Sequence, residues 1–161
     1  MQCKEKLENY LREHQVSFQT QQHARAFTAQ DVAASEHVPG KMVAKVVVVF
    51  ADGKMVMLVL PASYRVDFAQ AGTALEARQV RLAGEAELGA AFPDCEVGAM
   101  PPFGNLYHLP VYVDKRLAED ESIVFPVGTH TETMRLAYAD FARLVNPVVA
   151  EFARPAQAAL R

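Results

Sequence analysis

Two long runs of apolar residues dominate the hydrophobic pattern, at residues 44–50 and 55–60, with Asp52 and Gly53 between them. Both runs are rich in β-branched residues, and runs of this length are typical of strands buried on both faces. An Asp-Gly pair favours a tight turn because both positions can adopt positive φ. The pattern therefore predicts an antiparallel hairpin at the centre of the core.

Lys45 interrupts the first run close to its start. A lysine in such a strand either extends along the surface to solvent or faces a polar cavity. The first arrangement is the more common one, since lysines are rarely fully buried. If Lys45 faces a cavity instead, it is a candidate functional residue.

The rest of the chain alternates short strand and helix patterns. Apolar spacing predicts helices at 2–14, 66–72, 85–92 and 139–145, and Thr28 as an N-cap predicts one from 28 to about 38. Strands are predicted at 16–20, 80–82, 107–113, 122–126 and 133–136, with Pro110 placing 107–113 at a sheet edge or bulge. Residues 21–27 and 114–120 are predicted as connections, Gly128-Thr129-His130 as a turn, and 148–161 as a helical or frayed tail.

Strands outnumber helices in this reading, and no alternating βαβαβ series appears. The predicted fold class is therefore mixed α/β or α+β. We expect a mostly antiparallel or mixed sheet, barrel-like in shape, with helices packed outside, and not a Rossmann sheet.

Composition and charge narrow the function classes. The 161 residues suit one domain, and 51% hydrophobic with 22% charged residues allow a normal core. The net charge of -3 argues against broad nucleic-acid binding, but it leaves room for a local basic pocket. No apolar run reaches the roughly 20 residues that span a bilayer, and no secretory signal pattern opens the chain. Cys3 and Cys95 fit no metal or redox spacing, which predicts reduced thiols in a cytoplasmic protein, with Cys95 as a packing residue.

The standard catalytic motifs GxSxG, HExxH, P-loop and paired CxxC are absent, and the five histidines are too scattered to indicate a zinc site. Three features remain: Lys45, the loop from Gly98 to Asn105, and Gly128-Thr129-His130. Two prolines stiffen the middle of the loop, so its amides could polarise a carbonyl as an oxyanion hole. An ordinary rigid turn and a surface or capped-turn histidine are the alternatives.

These features, in this order, resemble the YbaK and prolyl-tRNA synthetase-associated editing domain family. The resemblance covers about residues 15–146 of a single domain spanning 1–161. It rests on Thr28-Ala29, Lys45, Asp52-Gly53, Leu60-Pro61-Ala62, the GxxxP loop Gly98 to Pro102 with Phe103-Gly104, Asp114, Gly128-Thr129-His130 and Asp140-Phe141.

The resemblance implies a six- or seven-stranded barrel-like sheet and hydrolysis of the ester that joins a wrong amino acid to a tRNA, without metal or cofactor. Lys45 would contact the aminoacyl end, Gly98 and its loop would supply backbone donors, and His130 would line the pocket. The implied substrate-binding residues are Thr28, Ala29, Met100, Pro101, Pro102, Phe103, Gly104, Gly128 and Thr129.

The expected function is that of a free-standing trans-editing aminoacyl-tRNA deacylase. An aminoacyl ester is already activated, so a water or a hydroxyl of the terminal ribose could attack it without a protein nucleophile. We expect a small amino acid as the cargo, because a synthetase separates residues that differ by one methylene by only about 1–3 kcal/mol. The expected partners are the 3′ acceptor end of tRNA and a synthetase or elongation factor, but no membrane and no DNA.

Two other functions fit the same residues. One is a non-catalytic module of this fold that binds tRNA or a synthetase. The other is the hydrolysis of a small ester or amide unrelated to tRNA.

Overall fold

A long antiparallel hairpin forms the centre of the molecule. The structure is a computed structural model that describes residues 2–22 and 42–156. Strands β2 (Ala44–Ala51) and β3 (Lys54–Pro61) pair along their whole length. Asp52 and Gly53 turn between them with φ of 50° and 86°. The predicted hairpin and its turn are confirmed, because only a residue pair that tolerates positive φ closes so short a connection.

The other elements surround this hairpin. The remaining strands are β1 (Gln19–Gln22), β4 (Tyr64–Val66), β5 (Val80–Leu82), β6 (Val111–Asp114), β7 (Ser122–Pro126), β8 (Glu132–Ala137), β9 (Val148–Ala150) and β10 (Ala153–Pro155). The helices are α1 (Cys3–Glu13), α2 (Phe68–Leu75), α3 (Glu85–Ala91), α4 (Lys115–Ala118) and α5 (Tyr138–Val145), with a 3₁₀ helix at Gly104–Tyr107. None of the helices in residues 2–22 and 42–156 is long and apolar enough to cross a membrane.

The strands form a mixed sheet with helices outside, as expected from the sequence. The largest sheet has the order β5-β2-β3-β6-β9, in which β3, β6 and β9 run parallel. A second sheet has the order β1-β8-β7, and β4 pairs with β10 as a ribbon. A single parallel bridge between Val43 and Val124 joins the first sheet to the second and places the start of β2 beside β7.

The central hairpin separates two apolar cores. Side chains alternate across a strand, so Ala44 and Val48 face the larger core, which also holds Phe103. Val49 faces the smaller core, together with Phe152. Burial on both faces explains the nearly continuous apolar runs, since each fully buried aliphatic side chain contributes about 1.5–3 kcal/mol.

The strand predicted at 107–113 is present only from Val111, and its expected place at a sheet edge or bulge is wrong. Tyr107 ends the 3₁₀ helix, and β6 begins only at Val111 and lies inside the sheet, between β3 and β9. Pro110 stands just before the strand, where its missing N–H is not needed. Its carbonyl accepts a hydrogen bond from the Met57 amide at 3.0 Å. Proline therefore marks the entry of a central strand here.

Several boundaries also differ from the predictions. The connection at 114–120 contains α4, and the described part of the tail expected at 148–161 forms β9 and β10, while 157–161 lie outside the described residues. The first strand lies at Gln19–Gln22 and not at 16–20, and it takes in the first two residues of the predicted 21–27 connection. A short strand, β4, precedes the helix expected at 66–72, which runs over Phe68–Leu75. Residues 23–27 of the predicted 21–27 connection and the helix expected from Thr28 lie outside the described residues.

Asp114 holds the end of the chain against the central sheet. This fully buried side chain caps α4 by accepting a hydrogen bond from the Arg116 amide at 3.0 Å. It also accepts from the amides of Phe152 and Ala153, both at 3.0 Å. The carboxylate therefore joins β6, α4 and the segment that leads into β10. Asp114, one of the residues that carry the family resemblance, thus has a structural role.

We expect Asp114→Asn to lower the free energy of unfolding by about 2 kcal/mol, because the charge-assisted hydrogen bonds to buried amides weaken. Urea unfolding would measure the change. Asp67→Asn is the matched control, since Asp67 caps α2 at its surface and asparagine caps nearly as well. Equal unfolding midpoints for the two variants would contradict this role.

Candidate functional site

The structure brings two of the three predicted features together. The Glu96 amide donates to the Gly128 carbonyl at 2.8 Å, and the Gly128 amide donates to the Ala99 carbonyl at 2.8 Å. These two backbone bonds join the start of the GxxxP loop to the Gly128-Thr129-His130 turn. We call residues 96–100 and 128–130 the paired loops.

His130 packs inside the paired loops. Its side chain is only 9% exposed, so the alternative of a surface histidine is wrong. Nε2 lies 2.9 Å from the Val97 carbonyl oxygen, and the His130 amide donates to Glu96 Oε1 at 3.0 Å. Because a carbonyl only accepts, Nε2 carries the proton in this contact. His130 is thus held in place by both its ring and its backbone amide.

Gly98 lies directly beneath this imidazole. Its φ of +88° is in the left-handed region, and a Cβ at this position would stand 3.4 Å from His130 Cε1. Both facts favour glycine. The Gly98 amide donates to Met100 Sδ at 3.3 Å, and a thioether sulfur is a weak acceptor. A carbonyl or oxyanion oxygen would be a stronger partner for this amide.

The side chains in the middle of the loop belong to the core. Met100 is 3% exposed and Phe103 is fully buried, and Pro101, Pro102 and Gly104 are buried too. A Cβ on Gly104 would lie 2.7 Å from Val111 Cγ2. The side chains of the predicted binding residues in this segment therefore hold the loop against the core. A ligand could contact only their backbone N–H and C=O groups.

Lys45 lies on the opposite face of β2 from the side chains that pack against Met100 and Phe103. By strand alternation it shares its face with Val47 and Val49. Lys45 is half-buried, and burial lowers the pKa of its ammonium group. It makes no hydrogen bond or ion pair with any residue in the described part of the chain.

The parallel bridge between Val43 and Val124 relates Lys45 to the paired loops. Lys45 lies two residues past Val43, and Gly128 lies four residues past Val124 in the same direction. Lys45 thus lies at the start of β2, and Gly128 lies just past the end of β7. The Lys45 side chain projects from the face of β2 that borders the smaller core, whereas the paired loops pack on the larger core through Met100.

The remaining predicted residues are less informative. Thr28 and Ala29 lie outside the described residues. The Thr129 hydroxyl donates to Glu132 Oε1 at 3.3 Å, so it stabilises its own turn. Within residues 2–22 and 42–156 no group of three or more His, Cys, Asp or Glu side chains could hold a metal ion.

The cysteines were missed by the sequence analysis. Cys3 and Cys95 form a disulfide with their Cα atoms 5.3 Å apart, so the expected reduced thiols are wrong. Their separation of 92 residues carries no motif, and only the fold brings them together. A Cβ on Gly128 would lie 2.9 Å from Cys3 Cβ. The first turn of α1 therefore rests on the paired loops, beside a hollow of about 310 Å³ that reaches Thr129.

Comparison with known proteins identifies the family. A family model for the aminoacyl-tRNA editing domain matches residues 23–144, while no curated protein gives a significant match. The hypothetical protein APE2540 superposes with a TM-score of 0.83 at 18% identity, over 92% of this chain and 99% of its own. A candidate trans-editing enzyme for prolyl-tRNA synthetase superposes with a TM-score of 0.81 at 18% identity, over 94% and 97%. At this identity the structural matches establish the fold alone. Because the family model spans more than half of the chain, the protein belongs to the aminoacyl-tRNA editing domain family.

Proposed function

We propose that this protein is a trans-editing aminoacyl-tRNA deacylase that hydrolyses the ester of a tRNA mischarged with a small amino acid. The observation that carries the proposal is the Gly98 amide, which the paired loops hold against a weak sulfur acceptor. Family membership supplies the substrate class. The candidate trans-editing enzyme for prolyl-tRNA synthetase, which shares the fold, supports the same assignment.

The Gly98 amide would bind the ester carbonyl. When a water attacks this carbon, the carbonyl oxygen becomes an oxyanion, and its hydrogen bond to the amide strengthens. The weaker contact with Met100 Sδ is then replaced. The carbon–oxygen bond to the ribose then breaks, the ribose oxygen takes up the proton that the water gave up, and the free amino acid leaves. One such prearranged donor contributes about 10²–10³-fold in rate. No protein nucleophile is needed, since the leaving group is a ribose oxygen of an activated ester.

His130 acts in this proposal as a positioning residue. Its Nε2 is engaged with the Val97 carbonyl, and its ring covers Gly98. The imidazole would thus hold the amide of Gly98 in place, which differs from the catalytic role expected from the sequence.

Lys45 would supply positive charge to the 3′-terminal part of the tRNA. An ammonium group is a compact charge that suits a phosphate oxygen. It lies at the start of β2, half-buried, and it has no carboxylate partner among the described residues. A substrate phosphate would fill that role when the protein meets charged tRNA, either alone or with a synthetase.

A deacylation screen tests the proposal. The purified protein is incubated with individual tRNAs charged with Ala, Ser, Thr, Cys or Pro, and the remaining aminoacyl-tRNA is measured over time. We expect rapid loss of at least one mischarged tRNA. Tight binding of all of them without hydrolysis would instead support a non-catalytic module, and hydrolysis of small esters that intact aminoacyl-tRNA does not inhibit would support a different hydrolase.

A further inference from the structure

Two arginines stand directly opposite each other on the β4–β10 ribbon. The antiparallel register pairs Arg65 with Arg154. Their neighbours Val66 and Ala153 point into the smaller core, so both arginines point outward, and both are exposed. Cβ atoms of directly opposed residues lie about 4.5–5.5 Å apart, which places the two guanidinium groups within reach of one ligand.

This pair has no carboxylate to balance it within residues 2–22 and 42–156. Other arginines of the protein do have one: Arg81 pairs with Glu87 at 2.9 Å, and Arg143 pairs with Asp140 at 3.2 Å. Like charges directly opposite on a ribbon are destabilising. In a chain of net charge -3, a paired cation site without an acid indicates a polyanionic ligand.

The ribbon lies on the same side of the central sheet as Lys45. Lys45 pairs with Leu60, near the end of β3, and β4 begins four residues later at Tyr64. Leu60 and Val66 belong to the smaller core, and Lys45 projects from the face of β2 that borders this core. Lys45 therefore lies on the side of the central sheet that the ribbon covers, near the end of β3 that leads into β4, and Arg65 and Arg154 project from the outer face of the ribbon.

We propose that Arg65 and Arg154 bind the phosphate backbone of the tRNA acceptor stem and position its 3′ end toward Lys45. The inference rests on the proposed function for its choice of RNA. Two guanidinium groups side by side can each donate two parallel hydrogen bonds to phosphate oxygens, which a lysine cannot do. Backbone contacts of this kind give affinity and register without reading sequence.

The double variant Arg65→Gln/Arg154→Gln tests this inference, with an uncharged RNA hairpin carrying an acceptor stem and a CCA end as the probe. We expect its affinity to fall about tenfold and the slope of log K against log[salt] to become shallower by about 1–2. For a charged full-length tRNA we expect a higher KM at unchanged kcat. Hydrolysis of a short aminoacyl-adenosine should not change, because it has no stem.

Lys54→Gln/Arg78→Gln is the matched control, since it removes two exposed charges at the far, hairpin end of β3. It should bind the RNA hairpin like the wild type. Equal losses in both double variants, or no loss in either, would overturn the inference. The RNA arm needs no hydrolysis, so its result stands apart from that of the deacylation screen.

Arg65→Glu separates binding from folding. It places a carboxylate opposite Arg154, so the thermal unfolding midpoint should stay the same or rise, while RNA binding should still fall. Retained RNA affinity in this stable variant would also overturn the inference.

Discussion

Lys45→Ala is expected to lower the deacylation rate by about 10²–10³-fold while leaving the fold intact. The loss follows from removing a half-buried cation that has no hydrogen-bond or ion-pair partner in the described part of the chain, so that its charge is left for the substrate. The magnitude is that of deleting a single prearranged charge or donor from a substrate site. Single-turnover deacylation of the tRNA found in the screen would measure it.

The pKa of Lys45 adds a pH dependence to this prediction. Burial lowers this pKa from its ordinary value of 10.5. As the pH rises, the ammonium group therefore loses its proton earlier than a free lysine does. We expect wild-type activity to fall as the pH rises through the lowered pKa, as long as the charged form binds substrate. Lys45→Arg should keep its charge throughout that range and so lose this part of the pH profile, whatever its absolute rate.

The same shift predicts the sign of a stability change. At neutral pH the folded protein carries a charged, half-buried Lys45, which costs free energy that the unfolded chain does not pay. Lys45→Met should therefore be at least as stable as the wild type at pH 7. The advantage should shrink as the pH rises from the lowered pKa to 10.5, because the folded wild type then binds fewer protons than the unfolded chain.

Lys54→Ala is the matched control on the same hairpin, since Lys54 is exposed at the other end of β3. It should hydrolyse the substrate at the wild-type rate. Full activity of Lys45→Ala toward a tRNA that the wild type deacylates would exclude the role given to Lys45, even if the protein proves to be a deacylase.

Local signals predicted the centre of this fold well. The hairpin of β2 and β3 follows from two apolar runs and one turn dipeptide, and burial on both faces reinforces the same pattern. The order of Lys45, the GxxxP loop and Gly128-Thr129-His130 was enough to indicate the family. In each case the information lies within a few consecutive residues or in a fixed order along the chain.

Signals that depend on distant partners were missed. Pro110 suggested an edge strand, but a carbonyl that accepts from Met57 lets it open an interior one. The end of the chain forms strands because β6 and β4 offer it partners, not because of its own composition. Burial of His130 likewise depends on Val97 and Glu96, which lie more than 30 positions earlier. Periodicity cannot report such contacts.

The Cys3–Cys95 disulfide should contribute about 4–5 kcal/mol to stability, because it closes a loop of about 90 residues in the unfolded chain. Reduction should therefore lower the thermal midpoint by roughly 10 °C or more for a chain of this size. The measurement is thermal unfolding with and without dithiothreitol. Cys3→Ser/Cys95→Ser should unfold at the lower temperature in both conditions.

The disulfide should also affect the paired loops, because α1 contacts Gly128 and is bonded to Cys95, the residue just before the first loop. The Cys3 amide donates to the Asp94 carbonyl at 3.2 Å, and Lys4 forms an ion pair with Glu132, just beyond the turn. Once the disulfide is broken, only such weaker contacts hold the first turn of α1 against Gly128. We expect the reduced protein to deacylate more slowly at temperatures well below its midpoint, with a larger effect on kcat than on KM, since the Gly98 amide loses its fixed position. As a control, dithiothreitol should not change the deacylation rate of the double serine variant. Equal rates for oxidised and reduced wild type would show that the disulfide does not influence the site.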